Sequence, residues 1–183
     1  MTSPASTGSE TGARPFAFWF DELEDGMTFT TRGRTITESD VVSFAALTGD
    51  WHPQHADATW ARESRFGERV AHGMLVLSYA VGLVPLDPER IVALRAIREA
   101  VFKRPVRLGD TIHVDGALRE LRELDDELGL VDTTWRVVNQ DGQTVARTAV
   151  EVLWRREPGE QNDSAGPSGA ARGDRPGDVV LPL

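Results

Sequence analysis

The sequence predicts one α+β domain in which an antiparallel sheet wraps around a buried helix, and three observations lead there. Residues 73–84 (GMLVLSYAVGLV) are apolar nearly all round, the pattern of a helix enclosed by protein rather than lying at a surface. In the C-terminal half, Thr111–Leu121, Leu130–Asn139 and Gln143–Arg155 have strand character and are separated by turn chemistry. The chain of 183 residues suits one domain of ordinary size. A helix apolar on all sides and a sheet apolar on one face bury each other when the sheet curls about the helix.

The elements follow in order. Residues 1–15 are rich in Ser, Thr and Gly with no apolar run, so they are expected to be disordered and do not read as a secretory signal. Met27–Ile36 (MTFTTRGRTI) reads as a strand containing Gly33. Thr37 stands three residues before Asp40, a capping-box-like start for a helix over 38–47. Val41, Phe44, Ala45 and Thr48 fall on one face of that helix, and Gly49 ends it. A short helix is expected from Asp57 to before Gly67, and the buried helix ends at Pro85 and Pro88. Residues 90–103 fit helix or strand on periodicity alone.

Among the later strands, the Asp141–Gly142 pair marks a hairpin. Trp135, Val137, Val145, Ala149 and Val152 are the expected sheet face. From Glu157 the chain is dense in Gly, Pro and small polar residues, so 157–183 is expected to be a disordered tail. The domain proper is therefore 16–156.

Composition removes several classes of function. Acidic residues outnumber basic ones 29 to 20, for a net charge of −9, whereas a nucleic-acid binder needs a basic face. The chain has no cysteine, which rules out disulfides, thiolate metal sites and cysteine nucleophiles and fits a cytoplasmic location. No apolar run reaches the roughly 18 residues of a membrane span.

Chemistry concentrates between Thr48 and Gly73, where His52, His55 and His72 lie. The string TGDWHPQHAD places Asp50, His52, His55 and Asp57 in a loop rich in Gly and Pro. An aspartate and a histidine five residues apart in such a loop can converge on one water. Farther on, His72 and Gly73 open the buried helix, whose free N–H groups suit a developing negative charge. His52, His55 and Asp57 also have the spacing H-x-x-H-x-D of metal ligands. The proline in the loop and the lack of an HExxH helix make metal the lesser reading.

TGDWHPQH followed by AHGM resembles the MaoC-like dehydratases, the (R)-specific enoyl-CoA hydratases of hot-dog fold. FKRPVRLGD, residues 102–110, is similar to the family's next strand and turn, which makes the ambiguous stretch before it a strand. The resemblance covers roughly residues 25–155. It implies reversible hydration of a trans-2-enoyl thioester to an (R)-3-hydroxyacyl thioester, with Asp50 and His55 as catalytic dyad. It also implies that the Gly73 N–H binds the thioester oxygen, with His52, His72 and Met74 supporting the loop or the substrate.

No metal or redox cofactor is implied. The expected partners are a coenzyme A or acyl-carrier-protein thioester and a second copy of the chain, in fatty acid or polyketide metabolism, with neither nucleic acid nor membrane. Lys103, Arg104 and Arg107 are candidates for the carrier's phosphates. Two positions depart from the family's pattern, His52 replacing its Asn and Gln54 an aliphatic residue; in addition Val81 stands where a relative of the short-chain type carries serine. The competing readings are a hot-dog acyl thioesterase and a noncatalytic acyl-binding partner subunit.

Overall fold

The computed structural model describes residues 15–158. In chain order it contains β1 (Thr28–Thr30), β2 (Arg34–Thr35), α1 (Glu38–Thr48), α2 (Pro53–Ala56) and α3 (Ala58–Glu63). There follow α4 (Gly73–Leu83), β3 (Ile91–Phe102), β4 (Thr111–Glu123), β5 (Leu128–Val138) and β6 (Thr144–Arg155). The sheet is antiparallel in the order β1-β4-β5-β6-β3, and β2 also pairs with β4. Its concave face packs on α4, where Leu75, Val76 and Ala80 meet Val114, Leu118, Val131, Trp135 and Val150. Each of the Leu and Val side chains contributes about 1.5–3 kcal/mol by leaving water. This is the hot-dog arrangement that the resemblance implies, with residues 91–102 as strand.

Four local expectations need correction. The strand expected over 27–36 is broken at residues 31–33. There the Thr31 hydroxyl, in place of a ladder carbonyl, accepts the Val114 N–H at 3.0 Å. The one-turn α2 was not expected, since histidine is not a usual helix cap. Helix α4 is not enclosed all round: Met74 is 58% exposed, and Ser78, one turn on, is exposed as well. Lastly, Ala149 lies outside the apolar core that Val150, Val152 and Trp154 join. A register shift between Val137 and Val138 brings both Val145 and Ala146 into that core, which changes the alternation beyond them.

Two features fix the frame around the site. Asp40 closes the capping box of α1, accepting the Thr37 N–H at 2.7 Å while the Thr37 hydroxyl faces the Asp40 N–H. Its other oxygen accepts the Tyr79 hydroxyl of α4 at 2.5 Å and Arg34 of β2 at 3.1 Å. Burial would raise the Asp40 pKa, but these donors together bring it down to about 2. In the sheet, the Phe29 ring crosses its strand partner Gly116, and a Cβ there would lie 2.1 Å from the ring.

The first and last described segments are stitched together. Phe16 stacks on Trp154 at 5.3 Å, and the Trp154 indole N–H donates to the Phe18 carbonyl at 2.9 Å. Asp21 accepts from the Arg156 guanidinium at 2.6 Å and from the Glu157 N–H at 3.0 Å. The disorder expected for residues 1–15 and 157–183 falls largely outside the described residues. Pro15 is described and buried at the start of a one-turn 3-10 helix.

Candidate active site

Helix α1 ends where Gly49 takes a left-handed conformation (φ 77°), which turns the chain into the loop carrying Asp50. His52 then caps α2, its Nδ1 accepting the Gln54 N–H at 3.2 Å, with Pro53 as the first helical residue. An asparagine side chain would do this same job, so His52 stands in for the family's Asn as a loop brace. Asp57 caps α3 by accepting the Thr59 and Trp60 N–H groups at 2.8 and 3.0 Å. Its role is structural.

That one turn of α2 carries His55 inward, where it is 5% exposed. His55 Nδ1 lies 2.7 Å from the Val70 carbonyl. A carbonyl only accepts, so Nδ1 carries the proton and Nε2 presents its lone pair. Burial lowers the His55 pKa below its usual 6.5; the Val70 bond raises it, the His72 ring beside it lowers it and Asp50 raises it. The net direction is down, toward a neutral ring able to act as a base.

His72 is buried on the other side of the same site. Its Nε2 donates to the Asp50 carbonyl at 2.9 Å, fastening the Asp50 loop to the start of α4. The His72 and His55 rings stack at 3.8 Å between centroids. Among the described residues, His72 Nδ1 is buried without a hydrogen-bond partner, and His72 supplies no side-chain cap to α4. The first-turn N–H groups of α4, beginning with Gly73, therefore remain free of a cap at the positive end of the helix. The Phe102 ring lies against Gly73, so close that a Cβ would sit 2.7 Å from it.

These pieces line one cavity of about 560 Å³, which brings Asp50, Gln54, His55, His72, Gly73 and Met74 together with Lys103 and Arg104. Of the residues that the sequence singled out, His52, Asp57, Val81 and Arg107 do not line it. Arg107 is held by Glu68 at 2.6 Å, and Val81 packs against the core rather than in the cavity.

Ligand-type atoms of Asp50, His55 and His72 lie within 4.8 Å of one another. A gap of that size is one that a single water with two hydrogen bonds of about 2.8 Å can bridge. Of the H-x-x-H-x-D set only His55 belongs to this trio, because His52 and Asp57 are spent as helix caps. Both His55 nitrogens are hydrogen bonded within the protein, so a cation here would first have to displace Val70 or Gln54.

The contact of Gln54 with the dyad was not foreseen. Its side-chain amide nitrogen is 2.9 Å from His55 Nε2. The available signal was the polar residue at a position where the family has an aliphatic one.

Comparison with known proteins identifies the family. A family model described as a MaoC like domain matches residues 22–140. Protein MaoC of Klebsiella aerogenes is 41% identical over 107 residues, covering 58% of this chain and 32% of its own length. The 3-hydroxybutyryl-CoA dehydratase of Methylorubrum extorquens is 34% identical over 106 residues, covering 56% of this chain and 65% of its own length. The chain thus spans about a third of the first relative and just under two thirds of the second. Among solved structures, the R-hydratase of Pseudomonas aeruginosa in its unliganded form superposes with a TM-score of 0.63 at 32% identity, over 84% of this chain and 96% of that one. With the family model matched across most of the domain and the motif residues gathered in one cavity, the chain belongs to the MaoC-like dehydratase family.

Proposed function

We propose that this domain catalyses the reversible addition of water to a trans-2-enoyl thioester, giving an (R)-3-hydroxyacyl thioester. The observation that carries the reading is the meeting of Asp50, neutral His55 and the uncapped start of α4 in one cavity. The Asp50–His55 pair holds the water and takes one of its protons as the oxygen bonds to C3 of the enoyl group. The π electrons move through C2 to the thioester oxygen, where the Gly73 N–H faces the growing negative charge. The dyad returns a proton to C2 on the face from which water came, and the cycle closes with no net proton change.

Lys103 and Arg104 line the same cavity and suit the phosphates of a coenzyme A or phosphopantetheine carrier. A second copy of the chain is proposed along β3, which lies at the end of the sheet and leaves Val92, Ile97 and Phe102 exposed.

Crotonyl-CoA mixed with the purified protein tests the reading. Hydration removes the ultraviolet absorbance of the conjugated thioester, and chiral analysis of the product should give the (R)-3-hydroxy isomer. Release of free thiol instead would mark a thioesterase. Binding without turnover would mark an acyl-binding subunit.

A further inference from the structure

The Gln54 side chain sits on the one lone pair that the proposed chemistry needs. The Val70 carbonyl fixes the proton of His55 on Nδ1, so Nε2 can only accept, and the Gln54 amide 2.9 Å away can only be donating to it. An imidazole nitrogen has a single lone pair in the ring plane, so it cannot make a full hydrogen bond to Gln54 and to a water at once. The aliphatic side chain that the family pattern has here makes no such claim on Nε2.

The Gln54 backbone is clamped from both sides. Its N–H donates to His52 Nδ1 at 3.2 Å, and its carbonyl accepts the Val70 N–H at 3.1 Å. Val70 thus orients His55 through its carbonyl and holds Gln54 through its N–H. With the main chain fixed, the amide reaches or leaves His55 only by rotation of its own side-chain torsions. It is half-buried and lines the cavity, so it has space to swing into.

We propose that Gln54 is a positioning residue that latches His55: its carboxamide occupies the Nε2 lone pair and must swing off before that lone pair can take a water. The inference rests on the hydration reading of the site. Latched, the amide keeps the neutral ring in one tautomer and one orientation. Released by the incoming acyl group, it leaves Nε2 free to take a water in the cavity that Asp50 also lines. The cost of release falls on substrate binding, because apparent affinity is reduced by the fraction of molecules already unlatched.

Gln54→Leu tests this, with Gln54→Met as a second variant of similar length that lacks the donor. One net hydrogen bond corresponds to about a fivefold change. KM for crotonyl-CoA should therefore fall about fivefold, with the gain in kcat/KM carried by KM rather than kcat. The 15N resonance of His55 Nε2 at neutral pH should move toward that of a bare lone pair in both variants. An Nε2 resonance unchanged from wild type in the folded variants overturns the latch, as does a KM that stays the same or rises. If the wild-type protein hydrates no enoyl thioester, the functional reading fails, while the Nε2 resonance still decides whether Gln54 holds that lone pair.

Discussion

Burial keeps His55 neutral against the pull of the Val70 bond, and the Val70 carbonyl places its proton on Nδ1; both effects have measurable consequences. If Asp50 and His55 share one water, Asp50→Asn and His55→Ala should each lower turnover of crotonyl-CoA about a hundredfold or more. The double variant should be hardly worse than either, since neither residue alone holds the water correctly. His52→Asn should be mild, because asparagine caps α2 equally well; circular dichroism confirms that each variant folds before rates are compared.

The lowered His55 pKa also fixes the sign of a stability effect. Between the unfolded value of 6.5 and the lower folded value, the unfolded chain binds a proton that the folded one does not. The contribution of His55 is thus complete above pH 6.5 and is lost as pH falls toward the folded pKa. Urea unfolding at a series of pH values should show a decline there in wild type that is smaller in His55→Gln. That Asp50, His55 and Gly73 could meet in one place was legible in the sequence, because they lie in two short strings. The Gln54 contact was not, because it depends on a rotamer and on Val70, 15 residues from His55.

At the level of elements, Asp40 does more than cap a helix: it joins β2, α1 and α4 through Arg34, Thr37 and Tyr79. Its pKa of about 2, against 3.8 for a free side chain, corresponds to about 2 kcal/mol. That stability is present above pH 3.8 and is lost as pH falls from 3.8 to about 2. Asp40→Asn should lower the unfolding free energy by a comparable amount near neutrality, read by urea titration.

Gly116→Ala should cost about 1–3 kcal/mol, because a Cβ must displace the Phe29 ring from the core. The sequence showed the capping box plainly, since both partners lie within four residues. It could not show the break at residues 31–33, because the acceptor that replaces a ladder carbonyl there serves a donor on β4, 83 residues away. The shift in alternation near Val145 escaped for the same reason: it arises in pairing with β5.

For the whole molecule, the exposed side chains of β3 lead to a prediction about assembly. Sedimentation at micromolar concentration should show at least a dimer of the 20.1 kDa chain, and a purely monomeric species would remove the proposed second copy. The architecture itself was legible because the apolar run of α4 and the strand patterns agree with only a few ways of packing. The exposure of Met74 and Ser78 was not, since a run of apolar residues does not record which side its neighbours leave uncovered.

The stitching of Phe16, Phe18 and Asp21 to Trp154, Arg156 and Glu157 means that the polypeptide enters and leaves the domain at one corner. A fold with adjacent ends behaves as a cassette: it can be set into a longer chain, or its ends can be joined, without bending the sheet. A circular permutant that links residue 158 to residue 15 through a short Gly/Ser bridge and opens between Asp141 and Gly142 should keep the circular dichroism spectrum of the parent. Loss of the fold in that permutant would show that the order in which the strands are made, and not only their final pairing, holds the molecule together.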